Sequence, residues 1–253
     1  MRRLVLHVCC GPCSTEVVER LRPDYELTLF FYNPNIYPKE EHDRRLAEAE
    51  RYALHKGLTL VKGDWSHEEW LRAVRGLEAE PEGGRRCERC FELRLRATAR
   101  LASELGAELF TTTLTVSPHK NAAMVNAAGR KAAEDIAMEP GPGARGAVAP
   151  LGTNGVGTGA LEGEGGAASG MYMGSAGTHG ACRVGAPAEG QDSAPRFLAA
   201  DFKKRDGFLR SCRLAREAGM RRQSYCGCEF SMAGRRRRVG GDPGSRPAPG
   251  ESG

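Results

Sequence analysis

Seven of the chain's nine cysteines stand in three tight groups: Cys9-Cys10-x-x-Cys13, Cys87-x-x-Cys90 and Cys226-Gly-Cys228. A lone free cysteine is most often a small buried hydrophobe, and Cys182 and Cys212 read that way. Grouped thiols are harder to explain by packing. Cys87 and Cys90 are three apart at the start of an expected helix, so both sulfurs share a face of its first turn. Unpaired N–H groups and the positive dipole end there favour thiolates. Cys9 and Cys10 are adjacent in a glycine-proline loop that could direct both thiols at a common centre. Two plus two makes four thiolates, the complement of a tetrahedral zinc or of a four-iron, four-sulfur cluster. Adjacent ligands suit a cluster better than structural zinc, although zinc and purely redox-active thiols remain open on spacing alone. Residues two apart can bring their Cα atoms into disulfide range across a glycine. Such a small ring is easily reduced, which suits a redox-active pair, two further metal ligands being the alternative.

The elements that must position these groups follow from alternating apolar runs. Leu4 to Val8 reads as a strand, Cys9 to Cys13 as a loop, and Ser14 to Arg22 as a helix. Strands are expected at 27–31, 58–62, 108–112 and 196–199, and helices at 39–56, 66–75, 87–105, 121–133 and 206–218. Ser66 with Glu69 has capping-box spacing, and Gly57 and Gly106 stand as helix stops. Alternation of this kind predicts an α/β fold: an open, mostly parallel, Rossmann-like sheet with helices on both faces. Ligands bind beyond the carboxyl ends of such strands, where the first cysteine group falls.

Of the 253 residues 33 are glycine, nearly double the average share of ~7%. The excess is local: 16 glycines lie in 139–195 and 6 in 232–253. The first window reads as a disordered low-complexity insert and the second as a disordered basic tail. One catalytic domain is then expected from 1–138 and 196–231. The net charge of +5 remains with it, because insert and tail cancel. No apolar run reaches the ~18 residues of a membrane span, and the seven-residue stretch after Arg3 lacks a signal cleavage site. A cytoplasmic location is expected, where thiols stay reduced.

Arg85, Arg86, Arg89, Arg94, Arg96 and Arg100 crowd the second cysteine pair. Basic residues beside a redox centre suggest a polyanion such as RNA, but Glu88, Glu92 and Glu104 alternate with them. On charge alone a solvated helix face explains the pattern better. Tyr32, Tyr37 and Tyr225 are candidates for stacking an unpaired base, and equally for core aromatics.

Together the motifs "LHVCCGPCS", "FYNPNIYPKEEHDRR", "RRCERCFELRL", "FLAADFKKRDGF" and "YCGCEFS" resemble the epoxyqueuosine reductase QueH family, in its order. The resemblance implies reduction of epoxyqueuosine to queuosine at the tRNA wobble position, the last step of that modification. It implies a four-iron, four-sulfur (4Fe-4S) cluster on Cys9, Cys10, Cys87 and Cys90, and a redox-active disulfide between Cys226 and Cys228. Cys13 matches a position that helps hold an additional metal, an extra iron. The partners implied are tRNA carrying epoxyqueuosine and an electron donor that the sequence does not identify. His7, Asp64, His119 and Asp201 are the candidate proton donors. The rival readings are a structural-zinc RNA-binding module and a thiol-disulfide oxidoreductase working through Cys226 and Cys228 alone.

Overall fold

The computed structural model describes residues 1–139 and 194–232. The glycine-rich insert, apart from its end residues, Cys182 within it, and the tail beyond Met232 lie outside the described residues. Five strands form one sheet: β1 (Arg2–His7), β2 (Tyr25–Phe31), β3 (Thr59–Lys62), β4 (Leu109–Thr112) and β5 (Arg196–Phe197). Their order is β3-β2-β1-β4-β5, and every pairing is parallel. The expectation of a mostly parallel sheet is met without an antiparallel member.

The helices that cover it, among the described residues, include α1 (Gly11–Leu21), α2 (Lys39–Lys56), α3 (His67–Ala73), α4 (Arg85–Glu104), α5 (Ala122–Met138) and α6 (Gly207–Glu217). Successive strand side chains point to opposite faces. Leu4, Leu6 and Val8 therefore join one core with Val17, Val18, Leu21 and Ala215 of α1 and α6. Val5 joins the other with Phe91, Leu95, Val125 and Ala128 of α4 and α5. Burial on both faces accounts for strands that read as continuous apolar runs.

Local chemistry sets the helix ends. Gly57, at φ 64, caps α2 in the left-handed region, and Gly106 does the same after α4 at φ 61. Ser66 Oγ accepts from Glu69 N at 3.3 Å, the forward half of the expected capping box. α1 begins earlier than the sequence suggests, at Gly11 rather than Ser14. Pro12 occupies its first turn, where a missing N–H costs nothing. Cys10 is consequently the N-cap of α1, and Cys13 lies in the helix, not the loop.

β1 stands where the chain reverses direction across the sheet, running outward to β2 and β3 and then returning to β4. In open parallel sheets the crevice at that switch point is the preferred ligand site. Cys9, Cys10 and α1's first turn fill it.

Candidate active site

A cavity of about 870 Å³ opens at this edge, lined by Cys9, Cys10, Cys13 and Cys226 among others. The sulfurs of Cys9, Cys10 and Cys13 all lie within 4.8 Å of one another, with Cys9 and Cys10 3.9 Å apart. The helix explains the trio: an N-cap residue and one three positions later face the same first turn. Hydrogen bonds from the Cys10 and Cys13 thiols hold the Cys9 thiol well below its usual range, aided by Arg94 and Thr113. Thr113 Oγ1 donates to Cys9 Sγ at 3.4 Å.

Cys87 and Cys90 are buried on α4 and fall outside this 4.8 Å group. Cys87 Sγ accepts from Gly83 N at 3.2 Å. It belongs to the apolar cluster against which Cys9 packs, and Cys90 shares a cluster with Cys228. Each member of the α4 pair thus shares an apolar cluster with a sulfur of another group. Buried sulfurs, helix N-termini and facing cations form a donor set that suits a thiolate-bound iron–sulfur cluster or metal ion.

Cys226 and Cys228 carry free sulfurs. The Cys228 thiol, hydrogen-bonded to Cys226, draws the Cys226 thiol well below its usual range, and Lys120 adds to this. Cys228 is pushed up by the same hydrogen bond and by burial. Cys226 is therefore the more readily ionised member of the pair, and it is the one that lines the cavity.

The cations are residues that the sequence reading undervalued. Arg86 and Arg94 are 3% and 2% exposed, which corrects the expectation of a solvated arginine face. Arg86, Cys90 and Arg94 are four apart and share α4's buried face. Arg89, Arg96 and Arg100 point outward to Glu92 and Glu139. Arg94 donates to Asn33 Oδ1 at 2.5 Å and approaches Cys90 Sγ at 3.8 Å. Lys120 Nζ lies 3.3 Å from Glu82 Oε1 and hydrogen-bonds Cys226. Arg45 of α2 also lines the cavity. The 86/90/94 spacing is a readable signal; Arg45 closes the FYNPNIYPKEEHDRR motif with nothing in it to tie it to the cysteines, and nothing local marks Lys120.

Of the four candidate proton donors, only His119 lines the cavity. His7 is fully buried, with Nδ1 2.8 Å from Thr112 Oγ1 and Nε2 3.2 Å from Tyr32 O. Thr112 Oγ1 accepts from Leu114 N, so its hydroxyl donates to Nδ1 and Nε2–H donates to the carbonyl. Burial, then Arg94, lower His7's pKa to about 3, so it is a neutral core residue. Asp64 is exposed elsewhere, and Asp201 pairs with Lys203 at 3.0 Å. Tyr225 lines the cavity, whereas Tyr32 is buried against Phe30, and Tyr37 stacks on His67.

Sequence comparison decides the kinship. The profile of the epoxyqueuosine reductase QueH family matches residues 4–140 and 178–234. The chain belongs to this family. A QueH family protein of Streptococcus pyogenes serotype M1, named epoxyqueuosine reductase QueH, is 31% identical over 234 residues, covering 90% of this chain and 69% of that protein. The family's Thermotoga maritima protein of the same name is 28% identical over 239 residues, 93% of each chain. The Haemophilus influenzae member is 40% identical over 133 residues, about half of each chain (52% and 54%). Among the described residues, no helix is long and apolar enough to cross a membrane.

Proposed function

We propose that this chain is an epoxyqueuosine reductase that converts epoxyqueuosine to queuosine in tRNA. The observation that carries the reading is one cavity walled by four cysteine sulfurs in a chain of this family. At about 870 Å³ it is large enough for a nucleoside withdrawn from its loop.

Replacing an epoxide by an alkene takes two electrons and two protons and releases one water. Oxidation of the Cys226 thiolate and Cys228 thiol to a disulfide yields the two electrons and one proton, the second proton coming from His119. The Cys228 hydrogen bond, aided by Lys120, favours Cys226 as the thiolate, the form that reacts. His119, on the cavity wall, delivers a proton to the departing oxygen. Arg45 and Arg94 offset the negative charge of the sulfurs. An external electron donor then restores the dithiol.

The residues that would hold a 4Fe-4S cluster are Cys9, Cys10, Cys87 and Cys90. When bound, such a cluster supplies one-electron transfer and a Lewis-acidic iron for the oxygen. The closeness of Cys13 to Cys9 and Cys10 supports its use for an additional iron. It also favours a second reading of the ligand set, with a metal held by Cys9, Cys10 and Cys13 alone. The two differ in the effect of Cys87→Ala, which removes metal only under the first.

Anaerobic reconstitution with iron and sulfide, followed by assay on tRNA carrying epoxyqueuosine, tests the function. Broad absorption near ~400 nm together with queuosine formation is expected. Full activity of a cluster-free, zinc-only protein overturns the cofactor reading. Absence of any queuosine from the reconstituted protein overturns the activity.

A further inference from the structure

The redox pair lies on a turn that the fold grips from two sides. Arg45, with a side chain only 4% exposed, donates from Nη1 to Cys226 O at 3.2 Å and from Nη2 to Tyr225 O at 3.3 Å. Its Nε donates to Glu41 Oε1 at 2.8 Å. Glu41 is equally buried and also receives Arg221 Nη2 at 3.2 Å. The guanidinium lies 5.2 Å from the Tyr225 ring centre. From the other side, Tyr37 N donates to Gly227 O at 2.8 Å, and the Tyr225 hydroxyl donates to Tyr37 O at 2.8 Å. Gly227 has φ +122, and a Cβ there would stand 3.0 Å from Ile36 Cγ1 and 3.1 Å from Arg45 Nη1. Arg45 therefore packs directly against the glycine between the two cysteines.

We propose that Arg45 is a positioning residue that sets the thiol–disulfide balance of Cys226 and Cys228 by holding their turn in the dithiol form. This rests on reading the two cysteines as a redox couple. Both sulfurs are free in the conformation that Arg45 grips. A disulfide between residues two apart closes a small, strained ring, and any backbone movement that relieves the strain loosens the bonds from Arg45 to the carbonyls of Tyr225 and Cys226. A couple biased this way stays reduced until substrate consumes it. Arg45 is 180 or more residues from the pair in the chain, so only the fold reveals the link.

The test equilibrates the full chain with dithiothreitol buffers of graded oxidation. Each protein disulfide formed reduces one oxidised dithiothreitol to its dithiol, with two electrons and two protons exchanged. Free thiols are then alkylated and the Cys226–Cys228 peptide is counted by mass spectrometry. Arg45→Met is expected to shift the equilibrium at least about tenfold toward disulfide, about 30 mV for a two-electron couple. Arg45→Lys keeps the charge but loses the planar fork, so an intermediate shift of about threefold is expected. Equilibria within twofold of the parent in both variants, or a shift toward dithiol, overturn the proposal. Should Arg45→Met not fold, Arg45→Lys decides alone by the same twofold limit. A parent chain that forms no disulfide at any buffer setting overturns it too. No tRNA enters this assay, so failure of the parent to reduce epoxyqueuosine counts against the proposed activity and not against Arg45.

Discussion

Lys120 extends a nearly buried ammonium toward Glu82 and Cys226, adding to the Cys228 hydrogen bond that lowers the Cys226 thiol. An ordinary cysteine titrates near ~8.5. The Cys226 value is depressed, so its thiolate is populated below that pH, while Cys228, pushed up, stays protonated. Alkylation by iodoacetamide at about pH 6.5 should modify Cys226 well before Cys228. Lys120→Met should slow that modification about tenfold and move its pH profile upward. Identical pH profiles for the two cysteines contradict this assignment. Cys87→Ala should abolish cluster loading and lower turnover at least about 100-fold, read by iron content and queuosine yield; turnover retained without iron would restore the thiol-only alternative, and turnover retained with iron would favour a metal on Cys9, Cys10 and Cys13. The cysteines announced themselves by spacing, and all three groups converge on one region. Their cations did not: Arg45 stands in a quoted motif that gives no link to the cysteines, Lys120 has no local signature, and Arg94 is masked by alternating glutamates that belong to another face of the same helix.

Helices and strands were largely legible, because their boundaries are set by local chemistry. α2 spans Lys39–Lys56 and stops at Gly57, as the glycine signal indicated. The start of α1 is hidden in the sequence because Gly11-Pro12 resembles loop punctuation, although proline also suits a helix's first turn. That shift matters, since it turns Cys10 and Cys13 from loop residues into neighbours on one helical turn. α5 runs beyond the expected Ala133 to Met138, and Glu139 just after it pairs with Arg96 and Arg100. This pairing lies across to α4 and leaves no local trace. The approach of α5 to the sheet depends on Gly129, where a Cβ would lie 2.4 Å from the Phe197 ring. Gly129→Ala should therefore displace Phe197 of β5 and cost about 1–3 kcal/mol, measured by urea unfolding. An unchanged midpoint would show that β5 is not held by this contact.

At the scale of the whole molecule, topology brings distant segments together. Strand order places the end of β1 at the reversal point, α4 supplies one wall, and the 222–231 segment closes the cavity from the far end of the chain. The switch point was foreseeable from strand–helix alternation; the enclosure by chain ends some 200 residues apart was not. The chain carries a net charge of +5, and Arg222 reaches the cavity wall, stacked 4.8 Å from the Phe208 ring centre. Binding of tRNA through phosphates should weaken at least about tenfold between ~50 and ~200 mM salt, measured by filter retention, and Arg222→Glu should weaken it further. Salt-independent binding would place the contact elsewhere. The most direct test of the whole account is a single turnover by reduced, reconstituted protein on epoxyqueuosine tRNA with no other reductant present. Nucleoside mass spectrometry should show loss of one oxygen, with one Cys226–Cys228 disulfide formed per queuosine. Queuosine appearing while both thiols remain free, or no loss of oxygen at all, would contradict it.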